Sequence, residues 1–260
     1  MESNSSQNRP VITIISASFN CVDTIEKSIL SILPHLSVNI EFVIIDGGST
    51  DGSVEIIKKY EKYLSFWISE KDNGIYDAWN KGIVASKGKF ISFIGLDDYL
   101  CSNYSNLYLA AVFSNSHCDF FSSRMIINNS RKEIYGYPFC WDQFKWNMNV
   151  VHPGSLHSRS LFDKYGLYNM KFKIAGDYEF LLRCGYNLNS YFIDSPTILF
   201  SLDGISNTKS FELAKEVRRA KILNNSMSIF FINIDFIYRY LVAFLSKIRK
   251  FLFNYLNLKI

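Results

Sequence analysis

Residues Ser69 to Leu100 read SEKDNGIYDAWNKGIVASKGKFISFIGLDDYL, and the way this stretch folds decides the architecture of the chain. Phe66 to Ser69 reads as a short strand leading into it, Ile75 to Ala85 as a helix and Phe90 to Phe93 as a further strand. Strand, helix, strand in that order is the repeating unit of a parallel sheet covered by helices. Leu96 to Asp98 follow at the carboxyl end of the last strand, the end at which open α/β sheets bind ligands.

The same alternation extends upstream. Val11 to Ser16 (VITIIS) reads as the first strand, and after the turn Ala17 to Asn20 the apolar residues Val22, Ile25, Ile29, Ile32 and Leu33 recur at helical spacing until Pro34. Glu41 to Ile45 is the second strand. Asp46 to Ser53 (DGGSTDGS) is a turn rich in Gly and Asp, leading into a helix striped by Ile57, Tyr60 and Leu64. Downstream, Asp119 to Leu156 holds further strands and a connection crowded with Tyr135, Tyr137, Phe139, Trp141, Phe144 and Trp146, a cluster more typical of core than of a ligand platform. Ser158 to Tyr165 and Asp177 to Cys184 read as helices and Tyr191 to Phe200 as a late strand. The expected class is α/β, a mostly parallel central sheet with helices on both faces, whose loops after strands one, two and four converge.

Composition limits the function. With 260 residues, 48% hydrophobic and 20% charged, the chain is long enough for one large core and too apolar for a disordered protein. Five widely spaced cysteines with no CxxC suggest neither a disulfide framework nor a zinc knuckle, which fits a reducing cytoplasm, and the polar stretch Met1 to Pro10 does not read as a secretory signal. The net charge of +4 is uneven: from Lys209 onward ten basic residues face three acidic ones, so the tail carries +7 and residues 1 to 208 carry −3. Nucleic-acid binding calls for basic residues on the folded domain, so no nucleic-acid partner is expected; a basic, aromatic tail suits an anionic membrane surface or a docking partner better.

Two motifs are near misses. Gly47 to Ser53 lacks the lysine of a phosphate loop, Gly82 to Lys89 has the wrong spacing for one, and GxGxxG is absent. What remains is a set of carboxylates: Asp46 after strand two, Asp97 and Asp98 after strand four, and Asp177 at the start of a later helix. Each alone reads as a turn or helix-cap residue. Adjacent aspartates, however, repel unless a cation or hydrogen-bond donors share their site, and hard divalent cations on diphosphates need such oxygens.

With these motifs in order, the chain from about Val11 to Arg183 resembles the family 2 inverting glycosyltransferases of the GT-A fold. ISASFN (Ile15 to Asn20) stands at the opening strand and nucleobase loop, and VIIDGGSTDGS (Val43 to Ser53) matches the second motif. The Ser69 to Leu100 stretch joins the DNGIYDAWNKG helix to an Asp-Asp motif, and AGDYEFLLR (Ala175 to Arg183) resembles the acceptor-side motif carrying the base. The resemblance implies that the Ala17 backbone and Asp46 hold the nucleobase, with Asn20 in the same nucleotide-binding loop. It places Asp97 on a ribose hydroxyl, Asp98 on a divalent metal (Mn2+ or Mg2+) and Lys81 near the diphosphate, unless Lys81 only solvates its helix face. The opening loop departs from the family's Pro-Thr-Tyr-Asn. Gly176 stands where a second acidic residue is common, which leaves Asp177 as the candidate base, with Glu179 roughly 200° away around the helix. On the acceptor side His152, in VHPGSLH, and Ser206, in a Gly-Ile-Ser segment, are further candidates; a packed histidine and a plain turn are their ordinary alternatives.

Two units are expected: residues 1–208 as the GT-A domain and 209–260 as a basic amphipathic helical tail. In the tail Ile237, Leu241, Phe244, Ile248 and Tyr255 form a stripe with Arg239, Lys247 and Lys250 off it. Charges interrupt its apolar runs, so the tail is expected to lie on a bilayer, at the inner face of a bacterial plasma membrane, rather than cross it; packing on its own domain is the alternative. The function implied is transfer of a sugar, by analogy glucose from UDP-glucose with a β-linkage, onto a polyprenyl-diphosphate-linked saccharide in O-antigen or other surface-polysaccharide assembly. A sugar-phosphate nucleotidyltransferase would need a Gly-rich basic loop after strand one, which ISASFN lacks, and a catalytically silent membrane-bound scaffold would keep the same fold.

Overall fold

The computed structural model describes residues 9–202 and 210–257. Four parallel strands, β1 (Ile12–Ser18), β2 (Ile40–Asp46), β3 (Phe66–Ser69) and β4 (Phe90–Gly95), alternate with α1 (Val22–Ile32), α2 (Ser53–Lys59) and α3 (Ile75–Ala85). Side chains alternate between the two faces of a strand. Ile14, Phe42 and Ile44 accordingly join the core under α1 and α2, while Ile15, Val43 and Ile45 join the opposite core with α3. Burial on both faces explains the nearly continuous apolar runs in β1, β2 and β4.

The pairing register sets the position of the site. Ser18 pairs with Asp46, Asp46 with Ser69 and Ala17 with Gly95, so the carboxyl ends of all four strands finish level. The parallel run stops at β4. Beyond it come β5 (Tyr99–Leu100), α4 (Tyr104–Ser114), β6 (Phe120–Ile127), β7 (Ile134–Tyr135), α5 (Trp141–Phe144), β8 (Leu156–Ser158), α6 (Arg159–Tyr165), α7 (Gly176–Cys184) and β9 (Ser190–Phe200). The sheet order is β3-β2-β1-β4-β8-β6-β9-β5, with β7 on β6; β8 runs antiparallel to β4 and β6, and β6 runs parallel to β9. The second half is therefore mixed. Because β5 pairs with β9, the chain just after Asp98 lies against the end of β9.

Helices α8 (Ser210–Leu223) and α9 (Ile229–Asn257) close the fold. Val217 and Ala220 of α8, on the tail side of residue 208, are part of the same core as α7. Along α9, Ile232 and Ala243 are buried, and Asp235 ion-pairs with the fully buried Lys221 at 2.6 Å and with Arg239 at 2.8 Å. Arg239 also donates to the Trp146 carbonyl at 2.7 Å. Asp235 and Arg239 of α9 thus pack inward, while Phe230, Ile237, Leu241, Phe244 and Leu245 are exposed. Ile229–Arg249 spans 21 residues at a mean hydropathy of 1.5, long and apolar enough by length and composition to cross a membrane. This corrects the expectation that charges interrupt it too often.

Candidate active site

The loops after β1 and β2 are knitted together. Asn20 takes a left-handed φ of 48°, its backbone N–H donates to Ser49 Oγ at 2.8 Å, and its Oδ1 accepts from the Thr50 N–H at 3.0 Å. Asp51 accepts from the Val22 N–H at 2.9 Å and from the Ser53 N–H at 3.0 Å, so one carboxylate supports the first turns of both α1 and α2. Asp46 is fully buried and accepts from the Gly48 and Ser49 N–H groups at 3.0 and 2.9 Å and from the Ser49 and Ser69 hydroxyls at 2.6 and 2.7 Å. Burial pushes its pKa up, but those hydrogen bonds outweigh burial and hold it below the usual carboxylate value. Asp46 therefore builds the loop wall and lines neither of the clefts that follow.

Two clefts, each of ≈480 Å³, open at the level ends of the strands. The first is bordered by Ala17, Asn20, Cys21, Leu96 and Lys173. The second is bordered by Asp98, Met148, Val151, His152, Tyr178 and Arg239. Ile75, Trp79, Gly95, Asp97, Ile174 and Asp177 border both, so two carboxylates from opposite halves of the chain stand where the clefts meet. Lys81 is apart from them, ion-paired to Glu70 at 2.6 Å on the outer face of α3. Its helix-face alternative describes it in this structure. Ser206 lies outside the described residues.

Asp97 and Asp98 are arranged around Gly95, where an added Cβ would come within 2.5 Å of Asp97 Oδ1 and 3.2 Å of Asp98 Oδ2. Asp98 is only 3% exposed and accepts from the Ser201 N–H at 2.9 Å, not capping α4. Burial, then the neighbouring charge of Asp97, raises its pKa to about 8. Two hard oxygen ligands crowded at a cleft floor fit a divalent cation. Among the described residues no group of three His, Cys, Asp or Glu side chains surrounds such a point, so most of the coordination shell would come from substrate oxygens and water.

Asp177 is not a helix cap. Ala175 occupies the N-cap without a side-chain bond, and Asp177 is the second residue of α7. Its Oδ1 accepts from the Tyr178 N–H at 2.8 Å and from the Tyr76 hydroxyl at 3.2 Å, a hydrogen that Tyr76 shares with the Ile174 carbonyl at 2.8 Å. A fifth of its side chain stays open, at 20% exposure, yet desolvation raises its pKa to about 6. Gly176 lies flat against the Tyr76 ring, where a Cβ would meet ring carbons at 2.7 to 2.9 Å. That contact explains why no second acidic residue precedes Asp177.

His152 Nδ1 stands 4.0 Å from Asp177 Oδ2, and its Nε2 is 3.1 Å from the Tyr168 hydroxyl. The ring stacks on Trp79 and Phe93, and burial lowers its pKa to about 3, so the imidazole is neutral. A neutral ring beside the carboxylate orients more than it ionises. His157 is buried among Phe93, Phe120 and Phe180 and borders neither cleft. Glu179 is buried against Arg183 at 3.0 Å and faces away. Sequence reading missed Tyr76, Trp79 and Tyr168, although the first two lie in the DNGIYDAWNKG helix at one-face spacing.

Comparison with known proteins bears on the family and the fold. Residues 13–166 match the family described as Glycosyl transferase family 2. A PGL/p-HBAD biosynthesis glycosyltransferase of Mycobacterium bovis is 27% identical over 181 residues, 68% of this chain and 71% of the relative. Among solved structures, S. aureus TarS in complex with UDP-GlcNAc superposes with a TM-score of 0.66 at 16% identity, over 81% of this chain and 66% of TarS 1-349. The mannosyltransferase PcManGT from Pyrobaculum calidifontis, in complex with GDP-Man and Mn2+, gives 0.64 at 14% identity, over 85% and 65%. The chain spans just under two thirds of either solved protein. The likeness establishes a GT-A-type α/β fold, and with the match over residues 13–166 the chain belongs to glycosyltransferase family 2.

Proposed function

We propose that the protein is an inverting glycosyltransferase that takes a nucleotide sugar in the cleft beside Ala17 and Asn20 and an acceptor hydroxyl in the cleft beside His152. The observation that carries this reading is that Asp97 and Asp177 border both clefts. A single displacement needs that arrangement: the acceptor O–H loses its proton to Asp177 as its oxygen attacks the anomeric carbon, and the bond from that carbon to the diphosphate oxygen breaks with its electron pair leaving on the nucleotide. With the base and the leaving group on opposite faces of the sugar, the anomeric configuration inverts. A divalent cation, Mn2+ or Mg2+, held by Asp98 would offset the charge that gathers on the departing diphosphate.

Within that class the donor is assigned as UDP-linked, glucose by analogy, giving a β-linkage; UDP-GlcNAc in TarS and GDP-Man with Mn2+ in PcManGT support a nucleotide-sugar donor and a metal. Asp97 is assigned to a ribose hydroxyl, and Asp46 acts through the loop it builds. The acceptor is assigned as a polyprenyl-diphosphate-linked saccharide of O-antigen or other surface-polysaccharide assembly, presented at the inner face of the plasma membrane. The exposed apolar side of α9 and the tail's charge of +7 support that placement. A surface location is favoured over a span because Asp235 and Arg239 hold α9 against Lys221 and Trp146, and an upright helix would strip the buried Lys221 of its partner. The test is a panel of nucleotide sugars with diphosphate-lipid acceptors, with and without Mn2+. One UDP-sugar should give a product of inverted configuration; bound nucleotide with no product from any donor would favour the silent scaffold.

A further inference from the structure

The first turn of α7 has no cap of its own, because Ala175 offers no side-chain acceptor. The backbone N–H groups just ahead of a helix still need partners. The structure supplies them from 41 to 43 residues away. Glu216, half-buried on α8, accepts from the Lys173 N–H through Oε1 and from the Ile174 and Ala175 N–H groups through Oε2, all at 2.8 Å. Three consecutive amides converging on one carboxylate form an anion-binding nest filled by a side chain.

The residues so held are those of the site. Lys173 and Ile174 border the first cleft, Ile174 and Ala175 the second, and Asp177 both. The Lys173 amine donates to the Asn73 carbonyl, and Tyr76 donates to the Ile174 carbonyl, so two of the three residues are also tied to the entrance of α3. Asp177 faces Tyr76 on α3, His152 ahead of β8 and Tyr168 ahead of α7; those three are neutral, and Glu216 is the charged group on the α8 side.

We propose that Glu216 is a positioning residue for sugar transfer: by clamping the Lys173–Ala175 backbone it fixes where Asp177 stands between the clefts, which makes α8 part of the catalytic unit. This rests on the reading of Asp177 as the base. It also follows that α8, Ser210–Leu223, belongs to the working enzyme and not to a dispensable tail.

The test compares Glu216→Gln, whose one amide oxygen cannot satisfy three donors, with Asp177→Asn and with the pair combined, in the full chain with a transferable nucleotide sugar. In Glu216→Gln, kcat should fall about 10- to 100-fold while UDP affinity stays within about twofold. The acidic limb of kcat/KM should move to lower pH as a negative neighbour of Asp177 is lost. Amide hydrogen exchange should quicken across residues 173–175 and not across 46–51. Combined with Asp177→Asn, the substitution should add little further loss. Wild-type kcat and an unmoved acidic limb would overturn the proposal while leaving Asp177 in place. Loss of UDP binding together with turnover would also overturn it, in favour of a general folding role. Near-normal turnover in Asp177→Asn would instead remove the reading of Asp177 as base, and the proposal with it.

Discussion

The hydroxyl of Tyr76 on α3 donates to the carboxylate of Asp177 on α7 at 3.2 Å, joining the helix that borders the donor cleft to the helix that carries the base. Burial, then the charge of Asp177, pushes the Tyr76 hydroxyl well above its ordinary pKa, so it remains a donor. Its bond favours the ionised carboxylate. Tyr76→Phe keeps the ring against Gly176 and deletes that bond together with the one to the Ile174 carbonyl, of which only the first acts on the carboxylate. The acidic limb of kcat/KM should therefore move to higher pH, with kcat about 3- to 10-fold lower, as measured by steady-state rates from pH 5 to 9. An acidic limb in the same place would mean that Tyr76 does not act on the titrating group.

Asp177 should also hold the fold under strain. Its pKa in the fold, about 6, lies above the ordinary value of 3.8, so the protonated form is the one the fold prefers. The associated stability is fully present below pH 3.8 and is lost as pH rises through about 6. Asp177→Asn removes the buried charge and should be more stable than wild type by about 1–3 kcal/mol near pH 7.5, a gain that vanishes toward pH 4. Denaturant melts at the two pH values check this; equal stability at pH 7.5 would show that the carboxylate sits in a wetter site than its neighbours indicate.

Asp98 is buried beside Asp97 with its pKa raised to about 8, which marks a carboxylate short of positive charge. Asp98→Asn should lower turnover at least about 10²-fold, and chelator should reproduce the loss in the wild type. Full turnover in excess chelator would remove the metal from the account whatever the variant does.

The outward side of α9 should bind anionic vesicles. Ile237, Leu241 and Phe244 are exposed and make no part of the Lys221, Asp235 and Arg239 contacts. Replacing the three with Gln should reduce flotation with anionic vesicles about tenfold or more and leave UDP binding intact, while high salt should weaken wild-type flotation only partly. Equal flotation of variant and wild type would sink the membrane assignment.

Much of the donor half was legible because its residues obey simple periods. Phe66–Ser69 and Ile75–Ala85 have the bounds their pattern suggests, and β1 runs two residues past Ser16 into the loop that lines the cleft. Helix α4 carried no such signal: it buries Tyr104, Tyr108, Ala111 and Val112 on one face, but Ala110 and Phe113 on the exposed side are apolar too, so the sequence shows no stripe. The carboxylates were visible as residues, with roles drawn from the resemblance, but the groups that hold them in place were not visible. Asp46 has four donors within reach of its own loop and β3, Asp177 lies one turn position inside its helix, and Glu216 contacts the site only through folding. In α9 the exposure of Ile237, Leu241 and Phe244 follows the apolar stripe, whereas the inward direction of Asp235 and Arg239 depended on a buried lysine on the preceding helix.

The most direct measurement is single-turnover transfer by Asp177→Asn with saturating nucleotide sugar, alongside its UDP affinity. The amide keeps the side chain's shape and its bonds to Tyr76 and to the Tyr178 N–H, and loses the capacity to take a proton. Transfer should fall about 10²- to 10⁴-fold with UDP affinity unchanged within about twofold. Transfer near the wild-type rate would contradict the assignment of Asp177 as the base where the two clefts meet.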